Sequence, residues 1–120
     1  MKRLFYNCNI SNNWILFEVS DNVADMKLIQ VDHQNFRLFC KLIREAIDDL
    51  IDKKIKMINQ LVTRDDYEQI LKNKTSWKIV EKTTDSNYES VLDPNALLIE
   101  CKIEDFIDNF AKAHGIKSLE

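Results

Sequence analysis

Lys54 is the residue most out of place in this sequence. On a helical wheel drawn from Asp32 to Leu61 it falls within the apolar arc shared by Ile43, Ile47, Leu50 and Ile58. A lysine buried there would lose its solvation and become available as a base or a Schiff-base nucleophile. The plainer account is that the helix ends near Asp52-Lys53-Lys54, or that the long stem carries the ammonium out to water. Tyr67 and His33 are the other polar side chains that a pocket between helix and sheet would recruit. The sequence supplies no partner acid or hydroxyl that would complete a catalytic set with any of the three.

The remaining reactive side chains have simpler explanations. Glu45, Asp48, Asp49 and Asp52 make an acidic stripe that could bind a divalent cation. Lys53 and Lys56, however, follow Asp49 and Asp52 at i,i+4, the spacing of a solvated, ion-paired helix face. His33 and Cys40 share a helical face but stand about 10 Å apart along the axis, too far for a thiol–imidazole pair. Cys8, Cys40 and Cys101 are odd in number and include no C-x-x-C pair, so they read as reduced thiols of a cytoplasmic protein. Cys8 and Cys101 fall on the apolar faces of strands, where a small buried thiol belongs. Gly115 is the only glycine, which excludes a P-loop or a dinucleotide-binding cradle. No cofactor and no metal site are expected.

The elements that would carry these groups follow from periodicity. Leu4, Tyr6, Cys8 and Ile10 alternate with Phe5, Asn7 and Asn9 as a first strand, and Asn12-Asn13 suits a tight hairpin with positive φ. Trp14 to Val19 makes a second strand and Met26 to Val31 a third. Asp32 caps a long helix whose apolar face runs from Phe36 through Leu50 to Ile58 and Leu61. Thr63 and Asp66 form a capping box for a shorter helix, with Val62 stapled to Tyr67. Ser76 to Lys82 returns to strand; Thr83 to Ser90 reads as a polar loop, with a short strand through Tyr88, Ser90 and Leu92 as the alternative, and Asp93-Pro94-Asn95 is a turn. Leu97, Ile99, Cys101 and Ile103 alternate as the clearest late strand. A last helix runs from Glu104 to His114, closed by Gly115 and Ile116, with His114 placed favourably for the helix dipole.

The order βββ-αα-ββ-α predicts an α+β fold in one domain spanning residues 1–120: an antiparallel sheet of about five strands, packed by one long and two short helices. Strand parity turns Phe5, Trp14, Leu16, Val80 and Leu98 away from the helices, and an apolar reverse face of this kind marks a protein contact surface. The first expectation is therefore a small cytoplasmic interaction module without catalytic activity, acting as an adaptor, regulator, inhibitor or immunity-type antagonist. It would dock on another protein or on its own copy as a homodimer. The alternative is a small enzyme with a helix–sheet pocket built on Lys54, Tyr67 or His33. A net charge of −3 and a pI near 5.4 argue against nucleic acid as a partner. Such binding would require Lys2, Arg3, Lys27, Lys78, Lys82 and Lys102 to gather on one face. No apolar run is long enough to span a membrane.

Overall fold

The computed structural model describes residues 2–80 and 96–113. Three strands open the chain: β1 (Lys2–Cys8), β2 (Asn13–Ser20) and β3 (Val23–Gln30). They pair as two antiparallel hairpins. The first turn spans residues 9–12, and no residue in it takes a positive φ. Asn13 begins β2 as a buried residue instead of shaping the turn. The second turn is tighter: Ser20 faces Val23, and Asp21 between them adopts φ 55°, a conformation that Asp tolerates better than most residues.

Asp32 does cap a helix, but a short 3₁₀ turn over His33–Asn35, with its side chain accepting from the Gln34 amide at 3.2 Å. The main helix α1 (Phe36–Asp52) follows and buries Phe39, Cys40, Leu42, Ile43, Ala46, Ile47 and Leu50 at helical spacing. It ends far earlier than the run from Asp32 to Leu61 predicts. Lys53 leaves helical geometry, Lys54 takes φ 69°, the Lys54 amide reaches the Ile51 carbonyl at 3.0 Å, and the Ile55 amide reaches the Leu50 carbonyl at 3.0 Å. That bond pair is a Schellman motif with lysine in the position glycine usually takes. Ile55 and Leu50, the two residues it brings together, are both buried.

Ile58 and Leu61 therefore belong to a strand, β4 (Met57–Val62), which lies parallel to β3 with α1 as the crossover. Thr63 then caps α2 (Arg64–Lys72), its hydroxyl accepting from the Asp66 amide at 3.1 Å. The two-residue β5 (Lys78–Ile79) and β6 (Leu97–Lys102) complete the sheet, and α3 (Ile103–Ala113) closes the described chain. The expected turn at Asp93-Pro94-Asn95, the strand around Tyr88 and the cap at Gly115 lie outside the described residues, as does His114. The fold is α+β, as expected, but the sheet has six strands in the order β1-β2-β3-β4-β6-β5 and is mixed, with one parallel pair.

Both α1 and α3 cover the same face of the sheet and touch each other, Phe39 and Phe110 lying 5.6 Å apart between ring centroids. Ile15, Phe17, Ile58 and Ile99 from the strands, and Phe39, Ile43, Leu50 and Phe106 from the helices, are almost wholly buried between them. Trp77 joins this core at 6% exposure, edge-on to Phe106. At the β1 side, the Tyr6 hydroxyl donates to Asp49 Oδ2 at 2.6 Å and ties the edge strand to α1. A non-glycine residue in the left-handed region is disfavoured by roughly 1 kcal/mol. Lys54→Gly should accordingly raise stability by about 1 kcal/mol in urea titration; a loss of stability would mean that the helix stop depends on the lysine side chain.

Candidate functional site

The most distinctive local geometry lies where the parallel pair comes apart. Its ladder runs from Val23 opposite Met57 to Met26 opposite Gln60 and stops there. Beyond that point β3 stays paired to β2 through Gln30, and β4 stays paired to β6 through Val62. A β-bulge between Leu16 and Phe17 on the β2 side leaves Lys27 as an extra residue in β3 at the same level, and such bulges bend a strand and increase its twist. The carboxyl ends of β3 and β4 thus diverge, leaving the β4-facing edge of residues 27–30 outside any ladder of the described residues.

On the helix face this fork opens into a cleft of about 390 Å³. Met26 and Gln60 form its floor; Ile70, Trp77 and Phe106 form its walls; Asp66 and Gln69 of α2 supply polar groups. Ligands in sheets with parallel strands characteristically bind beyond the carboxyl ends of those strands, where neighbouring connections run apart. The turn from β3 into α1 borders the same end. There Asp32 accepts from the Asn12 amide at 3.3 Å, the Gln34 amide at 3.2 Å and the Asn35 side chain at 2.8 Å. The Asn35 bond, followed by that of Asn12, holds the Asp32 carboxyl below the usual range. Asn13 completes the turn by accepting from the Asp32 amide at 2.6 Å.

The reverse face of the sheet carries a second feature. Register aligns Arg3, Glu18, Asp25, Asn59, Glu100 and Lys78 in a single row across all six strands. Asp25 and Asn59 are each only 8% exposed, and they sit one residue before the fork. Burial pushes the Asp25 carboxyl above its ordinary range, opposed by an ion pair with Lys27 at 2.9 Å. Asn59 Oδ1 is buried with no hydrogen-bond partner among the described residues.

The expected catalytic residues are not at the cleft. Lys54 is exposed at the carboxyl end of α1, which belongs to the opposite pole of the parallel pair: neighbouring Lys56 donates its amide to Asn22, just before β3 begins. His33 is exposed in the 3₁₀ turn, and Tyr67 packs half-buried against the core. The pocket between helix and sheet exists, but Gln60, Gln69, Asp66 and apolar side chains line it instead. The acidic stripe is a helix face in which Lys53 holds Asp49 at 2.9 Å; Lys56 falls outside the helix, so its expected spacing from Asp52 does not apply. Cys40 and Cys101 are buried, and burial pushes the Cys101 thiol up to about 12. No cluster suited to a metal ion occurs among the described residues.

Phe5, at 58% exposure, lies on the reverse face with its ring 5.8 Å from Trp14. Leu16, Val80 and Leu98 share that face and are half-buried. Arg3, Lys78 and Lys102 are there too but alternate with Glu18, Asp25 and Glu100, so the face is not basic; Lys82 lies outside the described residues. The polar row was missed because Asn59 reads as helix when α1 is extended to Leu61, and Asp25 falls outside a third strand begun at Met26. The signal that could have found it is the alternation of Ala24, Met26 and Ile58 with Asp25 and Asn59.

No protein-family model and no curated protein matches this sequence. Solved structures do match the fold. The PaiA N-acetyltransferase of Thermoplasma acidophilum, in complex with coenzyme A, aligns with a TM-score of 0.55 at 18% identity over 83% of this chain and 60% of its own. A GNAT-family acetyltransferase of Staphylococcus aureus aligns with a TM-score of 0.55 at 16% identity, over 84% of this chain and 68% of its own. An acetyltransferase of Streptococcus agalactiae aligns with a TM-score of 0.53 at 14% identity, over 75% and 58%. The chain thus spans less than two thirds of the archaeal and streptococcal proteins. The likeness establishes the fold as that of GNAT acetyltransferases. It overturns the expectation of a non-catalytic, regulatory interaction module, because these solved structures are acetyltransferases. No helix among the described residues is long and apolar enough to cross a membrane.

Asp25 provides a test of the site's electrostatics. A carboxyl whose pKa is raised by folding costs stability above its unfolded value of about 3.9 and costs nothing well below it. Asp25→Asn should therefore raise stability at pH 7, with the gain vanishing as the pH falls below about 3.5. A gain that persists at pH 3 would assign the effect to packing.

Proposed function

We propose that the protein transfers an acyl group from a pantetheine thioester to an amine. The observation that carries this reading is the cleft at the forked ends of β3 and β4, in a fold whose solved counterparts are acetyltransferases. A pantetheine arm is a narrow, extended chain with two amides. The free edge of β3 beyond Met26 offers backbone groups for such a chain to pair with. Apolar walls and the Gln60 and Gln69 amides suit the rest of it. The arm fits. The diphosphate of coenzyme A finds less: the amides of the β3–α1 turn are engaged by Asp32, a carboxylate standing where an anion would bind.

When bound, the thioester supplies an activated acyl carbon. The chain's own groups orient it and keep water from it, Trp77, Phe106 and Ile70 closing the cleft wall. Asp25, buried on the reverse face one residue before the fork and with a raised pKa, is suited to take a proton from an ammonium that reaches the thioester through the gap between β3 and β4. The nitrogen forms a bond to the acyl carbon as the carbon–sulfur bond breaks. Of the two protons the ammonium loses, one ends on the thiol and one in solvent. The three cysteines without a C-x-x-C pair support a reducing, cytoplasmic setting for this activity.

Thiol release from acetyl-CoA in the presence of primary amines tests the proposal. Amine-dependent release is expected, and Gln60→Trp, which fills the cleft floor, should lower kcat/KM at least tenfold (about 1.4 kcal/mol) with little change in melting temperature. No amine-dependent release, together with no calorimetric binding of coenzyme A or pantetheine, would refute it. Because Asp32 faces the phosphates, S-acetylpantetheine should be used within about tenfold of acetyl-CoA. A preference for acetyl-CoA of about a thousandfold would place a diphosphate grip elsewhere in the chain.

A further inference from the structure

Asn59 occupies the centre of the reverse-face row, between Asp25 on β3 and Glu100 on β6. All three present oxygen acceptors, and the Asn59 oxygen, although buried, has no donor among the described residues. Buried acceptors of this kind are rare unless something fills them. The positive groups around the row have other places: Arg3 lies 3.6 Å from Glu18 at the outer edge, and Lys27 pairs with Asp25. Lys78 stands opposite Glu100 on the far strand, and Lys102 one position beyond faces Met57. None of the ion pairs between described residues involves Asn59 or Glu100.

We propose that Asp25, Asn59 Oδ1 and Glu100 form a binding site for an alkylammonium group, the protonated form of a primary amine. An ammonium carries three N–H donors and no acceptor, so three acceptors side by side on neighbouring strands complement it. Two carboxylates flanking a neutral amide oxygen supply the charge, and each bond is charge-assisted. Glu100, half-buried and the longest of the three, is the side chain that swings to admit the ligand. Leu61 and Leu98, paired across β4 and β6, lie directly beside it and would take the alkyl chain. The site stands on the opposite side of the sheet from the cleft, one residue from the fork that joins them. Its use as an acceptor subsite rests on the acyl-transfer reading; ammonium binding itself does not.

The test is therefore a binding measurement. Titrating ¹⁵N-labelled protein with n-butylamine at pH 7, and separately with 1-butanol, reads the Asn59 side-chain amide and the Asp25 and Glu100 backbone signals. Saturable shifts at these signals with the amine, and none with the alcohol, are expected. Glu100→Gln and Asn59→Leu should each weaken binding at least tenfold. Lys27→Gln, which removes Asp25's counter-ion, should tighten it, a result that a purely structural row would not give. Equal shifts with the alcohol, shifts spread evenly over the acidic surface of α1, or unchanged affinity in Glu100→Gln would overturn the site. Should Asn59→Leu fail to fold, Glu100→Gln and Lys27→Gln decide the question. Ammonium binding with neither thiol release nor binding of coenzyme A or pantetheine would leave this site standing and remove the acyl-transfer reading.

Discussion

Two three-stranded halves of the sheet meet along a parallel ladder of only four residue pairs, and the rest of the architecture is arranged around that narrow seam. On one side lie the β1–β2–β3 hairpins and on the other β4, β6 and β5. A ladder this short does not hold two half-sheets together unaided. The helix face supplies what is missing: α1 packs on β1 and β2, α3 packs on β4 and β6, and the two helices touch. Apolar burial beneath them, centred on Phe39, Leu50, Ile58 and Phe106, is the cohesive term. The seam is then free to end after Met26 and Gln60. The bulge opposite Lys27 turns β3 away, and the gap between the strand ends becomes the cleft.

The reverse face obeys a different logic. No helix among the described residues covers it, yet Asp25 and Asn59 are nine-tenths buried there. A buried acceptor without a donor costs about 1–3 kcal/mol, and a desolvated carboxylate adds to that even with Lys27 beside it. Placing two such groups side by side next to the fork is poor engineering for stability alone. Strain concentrated at one site of an otherwise well-packed domain is the usual mark of function.

Much of the chain was legible because its signals are local. Thr63 and Asp66 announce α2, the two-residue alternation of Leu4, Tyr6, Ile15 and Phe17 gives the opening hairpin, and Phe106 and Phe110 mark the inward stripe of α3. The end of α1 was illegible for an equally local reason. Its stop has no glycine: Lys54 takes the left-handed position, and Ile58 and Leu61 happen to continue the helical spacing into what is a strand. From that one misplaced boundary followed the apparent burial of Lys54, the loss of the parallel pair and the invisibility of Asn59.

The sequence by itself determined the class of fold, the inward faces of β1, β2, α1 and α3 and the absence of a glycine phosphate cradle, because these depend on side-chain period and backbone permissiveness within a few residues. Only the tertiary structure decided the fork, the cleft and the polar row. Each of these joins residues from strands far apart in the chain, as Asp25, Asn59 and Glu100 are. Cross-strand neighbours are set by register, and register between β3 and β4 is fixed by where a helix between them stops and how it packs.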